Sequence, residues 1–280
     1  SVSAPARARL RTVLCTNGGL YGALVLHRLR ACDRLDICAV VRSTRVFEPN
    51  VGFLRGALSH MRRSGLAYTL YLWCATTLAD WLCVLAGSEA VPLRAASPGM
   101  SVYATRDLND AAGLRFLAAC KPDLLVSAFF NQRLRPAVLA LPQRGCLNIH
   151  PSLLPAAKGV DPVFQAFLHD LPQLGVTLHY MAPELDAGPI VAQRAFERRP
   201  SSSVFATTAF LFREGAELLV AAIDPIARGA AGTAQSGAGS YQSWPTRAQL
   251  RAFRARGGAL VRFVDLVRLT RDRLDADSWL

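Results

Sequence analysis

The chain of 280 residues contains almost no lysine and no closely spaced pair of cysteines. Only Lys121 and Lys158 are lysines, so the net charge of +12 comes almost entirely from arginine. The seven cysteines form no C-x-x-C pair, which argues against a zinc finger and favours buried thiols in a reducing compartment over a disulfide framework. Residues 1–11 lack the apolar core of a secretory signal, so we expect a cytoplasmic protein.

The sequence also lacks internal repeats, and its aromatic residues are not interleaved with arginines as in a single-strand nucleic-acid platform. The basic charge therefore has two open interpretations. It reflects either an arginine-rich composition or attraction to anionic partners such as phosphates, polyglutamate tails or a lipid surface. Charge alone does not choose between them.

Apolar runs typical of buried strands alternate with amphipathic helical patterns along most of the chain. This order predicts an α/β fold, an open, mostly parallel Rossmann-like sheet with helices on both faces. We expect one large domain over residues 1–228, with a helical insertion at 52–87. Residues 229–240 are rich in Gly, Ala and Ser, so 229–280 is predicted to be a linker followed by a helical appendage.

The insertion is nearly all apolar from 66 to 86, with Asp80 its only charge. Three interpretations remain open. The first is a buried helix or helical hairpin of a soluble domain. The second is an interfacial helix, or one that packs on a partner chain, with Arg55, Arg62 and Arg63 just upstream. A transmembrane span ranks last, because its carboxyl group would need a partner within the bilayer.

A glycine-rich turn follows the first predicted strand and opens the first predicted helix, at residues 16–22. Glycines there let backbone N–H groups face an anionic ligand at a helix start. A tight turn that needs positive φ explains the same glycines equally well. Both interpretations stay open, since the spacing is not G-x-G-x-x-G.

The segment 146–155 places an amide, Asn148, and an imidazole, His150, on alternate positions of a predicted strand, hence on one face of it. Asp186 follows in the predicted loop between the last two strands. Ligands of open α/β sheets bind outside the carboxyl ends of the strands. An amide donor, a proton-transfer group and a carboxylate to orient it could move an acyl group onto an amine. Each residue alone is more often an ordinary cap or turn former.

These residues belong to a longer series that resembles the folate-dependent formyltransferases, those related to glycinamide ribonucleotide formyltransferase and methionyl-tRNA formyltransferase. The resembling motifs cover roughly residues 10–223 and are Asn148-Ile149-His150, Pro151-Ser152-Leu153-Leu154-Pro155, Lys158-Gly159, Gly175-Val176-Thr177-Leu178-His179, Asp186-Ala187-Gly188-Pro189-Ile190 and Gln193. The resemblance implies the formyltransferase fold, Asn148, His150 and Asp186 as the catalytic set, 10-formyltetrahydrofolate as formyl donor, and no metal. His179 is a weaker candidate that we expect to be structural.

The resemblance also implies where the ligands bind. We expect two loops to wall the donor, formed by Phe130, Asn131, Gln132, Arg133 and Leu134 and by Ala182, Pro183 and Glu184. We expect the acceptor to lie near Asn17, Gly18, Gly19, Tyr21, Ser152 and Lys158.

Three functions follow, in order of preference. The first is an N-formyltransferase acting on the amine of a small molecule. The second is a 10-formyltetrahydrofolate hydrolase that releases formate, and the third is a non-catalytic, membrane-attached protein on the same fold. Because the segment after Ile223 is short and helical where methionyl-tRNA formyltransferases carry a barrel domain, we expect no nucleic-acid partner. A membrane surface bound through 66–86 is not favoured, and oligomerisation is left open.

Overall fold

The computed structural model describes residues 8–45, 52–79, 81–82, 100–199, 201–237 and 239–271. Its centre is a seven-stranded mixed sheet with the order β3-β2-β1-β4-β5-β7-β8, and β6 and β9 form a separate two-stranded sheet. The strands are β1 (Leu10–Thr16), β2 (Leu35–Ser43), β3 (Ser101–Thr105), β4 (Leu124–Ala128), β5 (Cys146–His150), β6 (Ala157–Gly159), β7 (Gln173–Tyr180), β8 (Ile190–Glu197) and β9 (Ser240–Gln242).

The five strands β3, β2, β1, β4 and β5 run parallel, whereas β7 pairs antiparallel with β5, and β8 pairs antiparallel with β7. The helices are α1 (Gly19–Arg30), α2 (Phe53–Ser64), α3 (Leu66–Trp73), α4 (Ala111–Cys120), α5 (Pro136–Leu139), α6 (Pro162–Leu168), α7 (Val204–Ala227), α8 (Arg247–Ala255) and α9 (Phe263–Arg271). The predicted α/β class with a mostly parallel sheet is therefore confirmed.

Helices cover both faces of the sheet, and the alternation of side chains along β1 shows how. Leu14 points into a cluster with α1 and α7, while Val13 and Cys15 point into a second cluster with α4 and α5. Successive strand residues face opposite sides, so the middle of a strand buried on both faces is apolar on successive positions, as at Val13, Leu14 and Cys15.

Helix α7 crosses the sheet face at very short range. Ser203 caps it by accepting a hydrogen bond from the Ala206 N–H. At Gly215, an added Cβ would lie 2.2 Å from Ile149 Cγ2 and 2.9 Å from Val176 Cγ2. Only glycine permits this approach, so Gly215 sets the spacing between the helix and strands β5 and β7.

The described part of the predicted insertion is helical, as expected: α2, α3 and a π-helical segment at Cys74–Leu78. Residues 80 and 83–87 of the predicted insertion lie outside the described residues. Among those that are described, no helix is both long and apolar enough to cross a bilayer. In the predicted appendage, α8 and α9 are helical, but β9 pairs in parallel with β6, a contact that the sequence did not indicate.

We expect Gly215→Ala to lower the free energy of unfolding by about 1–2 kcal/mol, because the overpacking against two stiff β-branched side chains outweighs the gain in helix propensity. Urea unfolding followed by circular dichroism measures the change. Gly52→Ala is the matched control, since a Cβ there meets nothing within 4 Å. Equal midpoints for Gly215→Ala and the wild type would contradict this account of the packing.

Candidate active site

The register between β5 and β7 builds the centre of the site. Asn148 is paired with His179 across the two antiparallel strands, and His150 is paired with Thr177. Directly paired residues share a face of the sheet, so the Asn148 amide and the His179 ring meet there. Their Nδ2 and Nε2 atoms are 3.2 Å apart.

The tautomer of His179 follows from its second contact. His179 Nδ1 lies 2.8 Å from the backbone carbonyl of Tyr180 and must donate to it. Nε2 then accepts a hydrogen bond from the Asn148 amide, which leaves the second amide N–H of Asn148 for a ligand. Burial, assisted by the nearby His150, lowers the pKa of His179 to about 4, so this acceptor is neutral near pH 7.

His150 is buried at the end of β5, with one ring nitrogen on each side of the site. Its Nε2 lies 3.0 Å from the carbonyl oxygen of Ala157, which also accepts a 2.6 Å hydrogen bond from the Ser152 hydroxyl. Nδ1 faces Asp186, at 3.7 Å from Oδ1. A protonated His150 can therefore donate to the carbonyl and face a carboxylate at the same time.

Asp186 stands between the two histidines. Its Oδ1 lies 3.9 Å from His179 Nε2, and its Oδ2 accepts a 2.9 Å hydrogen bond from the Gly159 N–H. The backbone of Asp186 is left-handed, with φ of 51°, and Gln235 donates to its carbonyl oxygen. The carboxylate is thus aimed into the site by backbone geometry and by a residue of the segment after α7.

The chain between β6 and α6 ties this centre to the insertion. Asp161 caps α6 by accepting from the Phe164 N–H, and its other oxygen accepts a 2.8 Å hydrogen bond from the Tyr68 hydroxyl of α3. Enclosure by the protein raises the pKa of Asp161 to about 6, against the effect of these two hydrogen bonds. This carboxyl group lies two residues from Gly159, the donor to Asp186.

The two loops predicted to wall the donor come together in space. The Arg133 guanidinium donates to the carbonyl oxygen of Pro183 through Nε, at 2.9 Å, and also through Nη2. A cavity of about 350 Å³ is lined by Arg45, Asp107, Asn109, Arg133, Leu134, Arg135, Pro136 and Pro183.

The other residues predicted to wall the formyl donor differ in whether their side chains are available to contact a ligand. Gln132 is buried and bonded to Ser43, Thr105 and Leu108, so it holds the loop rather than facing a cavity. Asn131 likewise bonds within the protein, to Ser43 and Arg45. Phe130 and Ala182 are half-buried, and Glu184 is exposed.

The predicted acceptor residues divide into two groups. Ser152 lies in the loop that follows His150, beside the catalytic candidates, and the half-buried Lys158 lies on β6 just beyond that loop. Tyr21 is fully buried among Phe129, Phe205 and Phe212, and its hydroxyl lies 3.4 Å from that of Tyr71, so it has no free face for an acceptor.

The glycine turn is covered by the insertion. A Cβ on Gly19 would lie 2.2 Å from the carbonyl oxygen of Ala75 in the π-helical segment. The Gly18 N–H donates to Thr16 Oγ1, and Asn17 Oδ1 accepts from the Asn131 N–H. Gly18 and Gly19 have φ of 82° and 69°, which fits the second of the two interpretations left open by the sequence, a tight turn that needs positive φ.

Two contributors to the site gave little or no signal in the sequence. His179 was expected to be structural, yet it binds the Asn148 amide. This pairing depends on the register between β5 and β7, which cannot be predicted from local sequence patterns. Gln235 lies in a linker-like stretch and reaches Asp186 over 49 residues of sequence.

Comparison with known proteins agrees with this geometry. The family model described as "Formyl transferase" matches residues 83–223, just over half of the chain, and the chain therefore belongs to the formyl transferase family. A methionyl-tRNA formyltransferase from Roseiflexus sp. (strain RS-1) is 41% identical over 145 residues, 51% of this chain and 45% of that protein. The chain thus spans about half the length of the curated relatives it matches.

Two solved structures share the fold. Glycinamide ribonucleotide transformylase 1 from Symbiobacterium toebii has a TM-score of 0.52 at 20% identity, covering 82% of this chain and 92% of that one. HypX from Aquifex aeolicus, solved in complex with tetrahydrofolic acid, has a TM-score of 0.54 at 16% identity, covering 86% of this chain and 31% of that one. The predicted family is confirmed.

The predicted partners are wrong. We expected a small-molecule amine and no nucleic acid, but the matching curated relatives act, by name, on methionyl-tRNA. The expectation rested on the segment after Ile223. That segment says nothing about which amine the matched domain accepts.

We expect His179→Phe to lower kcat about 10- to 100-fold with little change in KM, because the Asn148 amide loses the acceptor that orients it. This loss is smaller than the factor of about 10²–10³ that follows removal of a whole oxyanion donor. Steady-state kinetics measure this. His179→Gln, whose amide oxygen can accept, should recover part of the loss, and His27→Phe, at an exposed site on α1, is the control. An unchanged kcat in His179→Phe would refute the positioning role.

The raised pKa of Asp161 predicts a specific pH effect on stability. Between about pH 4 and 6 the folded state keeps a proton that the unfolded chain releases, so this group's contribution to stability declines as pH rises. Asp161→Asn removes that decline: its single amide oxygen can still cap α6, and its Nδ2 can donate to the Tyr68 hydroxyl in place of accepting from it. Urea unfolding at several pH values should show the free energy of unfolding of the variant rising relative to that of the wild type from pH 4 to 7. A difference in free energy that stays constant over this range would contradict the prediction. Asp33→Asn, on the surface, is the control.

Proposed function

We propose that the chain transfers a formyl group from 10-formyltetrahydrofolate to an amine, with Asn148, His150 and Asp186 as the catalytic residues. The observation that carries this proposal is that the three side chains converge. His150 Nδ1 lies 3.7 Å from Asp186 Oδ1. His179 faces the same Asp186 carboxylate, and the Asn148 amide lies beside His179. Family membership supports the reaction class.

Each residue has a role that its contacts suit. 10-Formyltetrahydrofolate supplies the formyl group that an amine nitrogen attacks. The free N–H of Asn148 donates to the formyl oxygen as negative charge develops there, and the positive charge of a protonated His150 adds electrostatic stabilisation. Asp186 faces His150 Nδ1 and orients the ring, and the two together help carry the proton from the attacking nitrogen to the departing one.

The donor is proposed to lie between the 130–134 and 182–184 loops. The cavity of about 350 Å³ there is within the size range of small-molecule sites. Arg45, Arg133 and Arg135 on its wall suit the carboxylate end of a folate.

His150 and Ser152 together satisfy the Ala157 carbonyl, so the loop on the acceptor side is held in place without a ligand.

We propose the amino group of methionyl-tRNA as the acceptor to test first. The relatives named for this substrate are 36–41% identical over the matched segment. The net charge of +12 suits a polyanionic acceptor. Six free thiols among the described residues support placing the protein in a reducing compartment such as the cytoplasm.

Incubation with 10-formyltetrahydrofolate and methionyl-tRNA should yield tetrahydrofolate and formylmethionyl-tRNA in equal amounts. We expect Asp186→Asn to lower kcat by at least about 100-fold, because His150 loses the carboxylate that orients it for proton transfer. Absorbance and mass spectrometry follow the two products. Asp33→Asn is the matched control.

Two results would contradict the proposal. Full turnover in Asp186→Asn would remove the assigned role of the carboxylate. Formate released at a rate independent of any amine would indicate the hydrolase instead. Formylation of methioninamide but not of methionyl-tRNA would leave the reaction intact and reject the tRNA acceptor.

A further inference from the structure

Helices α2 and α3 turn a row of large apolar side chains to solvent. Leu54 is 76% exposed and Leu66 is 60% exposed, values unusual for leucine in a folded domain. We call this set the α2–α3 outer surface, and its members are Leu54, Leu58, Leu66, Leu70 and Trp73. Trp81, 59% exposed, follows a few residues later.

Helical spacing explains why these residues share faces. Leu54 and Leu58 are four residues apart on α2, while Leu66, Leu70 and Trp73 follow the i, i+4, i+7 pattern on α3. The opposite faces are buried: Gly56, His60 and Ser64 on α2, and Tyr68, Tyr71 and Ala75 on the α3 side. The exposed leucines are therefore a second apolar face, additional to the one that packs on the domain.

The charged residues that the structure describes around this surface have one sign. Arg55, Arg62 and Arg63 are exposed on α2, and the described residues 52–79 include no Asp or Glu. Helix α8 lies against α2 through an Arg247 hydrogen bond to the Met61 carbonyl and an Arg63 hydrogen bond to Ser243. It adds the exposed arginines 247, 251 and 254, and residues 239–262 contain no acid either.

Three occupants can be compared by their chemistry. A second copy docked through the same face would bring two arginine clusters together. A tRNA backbone would pair with the arginines but leave the leucines in water. An anionic bilayer satisfies both, since phosphate headgroups meet the arginines while Leu and Trp side chains enter the interfacial layer.

We propose that the α2–α3 outer surface docks the protein on membranes that contain anionic lipid. The helices lie on the interface rather than cross it, in keeping with the lack of a spanning helix among the described residues. Membrane docking goes beyond formyl transfer and does not depend on it, because none of these side chains is assigned to the catalytic or ligand-binding set.

Vesicle flotation with the full chain tests the proposal. The wild type should float with vesicles of phosphatidylcholine and phosphatidylglycerol at about three to one, much less with phosphatidylcholine alone, and less at high salt. Leu58→Gln with Leu70→Gln should weaken binding about tenfold or more, since two interfacial anchors are lost. Arg55→Gln with Arg62→Gln should weaken it roughly fivefold for each arginine.

Leu171→Gln and Arg115→Gln are matched controls at exposed sites elsewhere on the domain, and they should bind as the wild type does. Thermal unfolding checks that every variant is folded, and formyl transfer should be unaffected in the surface variants. Several outcomes would overturn the proposal: no flotation of the wild type, equal losses in the controls, or surface variants that change only self-association or only tRNA binding.

Discussion

The antiparallel pairing of β5 with β7 is the constraint on which the site depends. It sets Asn148 opposite His179 and His150 opposite Thr177. A slip of one residue would turn each of these side chains to the other face of the sheet. The same strand then leads into the loop that carries Asp186, so a single register brings together groups up to 38 residues apart in sequence.

That register is held by polar contacts around Thr177. Its hydroxyl donates to the Ser152 carbonyl and accepts from the Leu154 N–H, which fastens the loop after β5 to β7. The Gln193 amide from β8 donates to the same hydroxyl. At Gly175 a Cβ would lie 2.3 Å from a methyl of Leu153, so the leucine of this loop packs directly on the strand. Several residues of the family-like motifs therefore serve the register, and through it the chemistry.

Much of the fold was predictable from the sequence, because periodicity is a local property. The parallel strands, helix α6 and the long helix α7 follow apolar patterns, with shifts of a few residues at their ends. The motif around Asn148 and His150 was equally legible, since alternation on a strand fixes a shared face. The β6–β9 pairing and the Gln235 contact were not, because both join segments about 50 to 80 residues apart and neither carries an apolar pattern. The glycine turn at 16–22 stayed ambiguous for a related reason: its neighbour, Ala75, comes from an insertion whose docking is set by tertiary packing.

Of the contacts that fasten the insertion to the domain, two involve predicted site residues or their neighbours in sequence. At one, the Ala75 carbonyl occupies the space that a Cβ at Gly19 would need. At the other, Tyr68 donates to Asp161, two residues beyond the Gly159 N–H that binds Asp186. A shift of α3 must therefore either move Asp161 or break the partly enclosed hydrogen bond from Tyr68. Breaking that bond would leave the Asp161 carboxyl group without the Tyr68 donor. Because α3 also carries three of the five residues of the α2–α3 outer surface, the bond from Tyr68 to Asp161 connects that surface with the Asp186 loop.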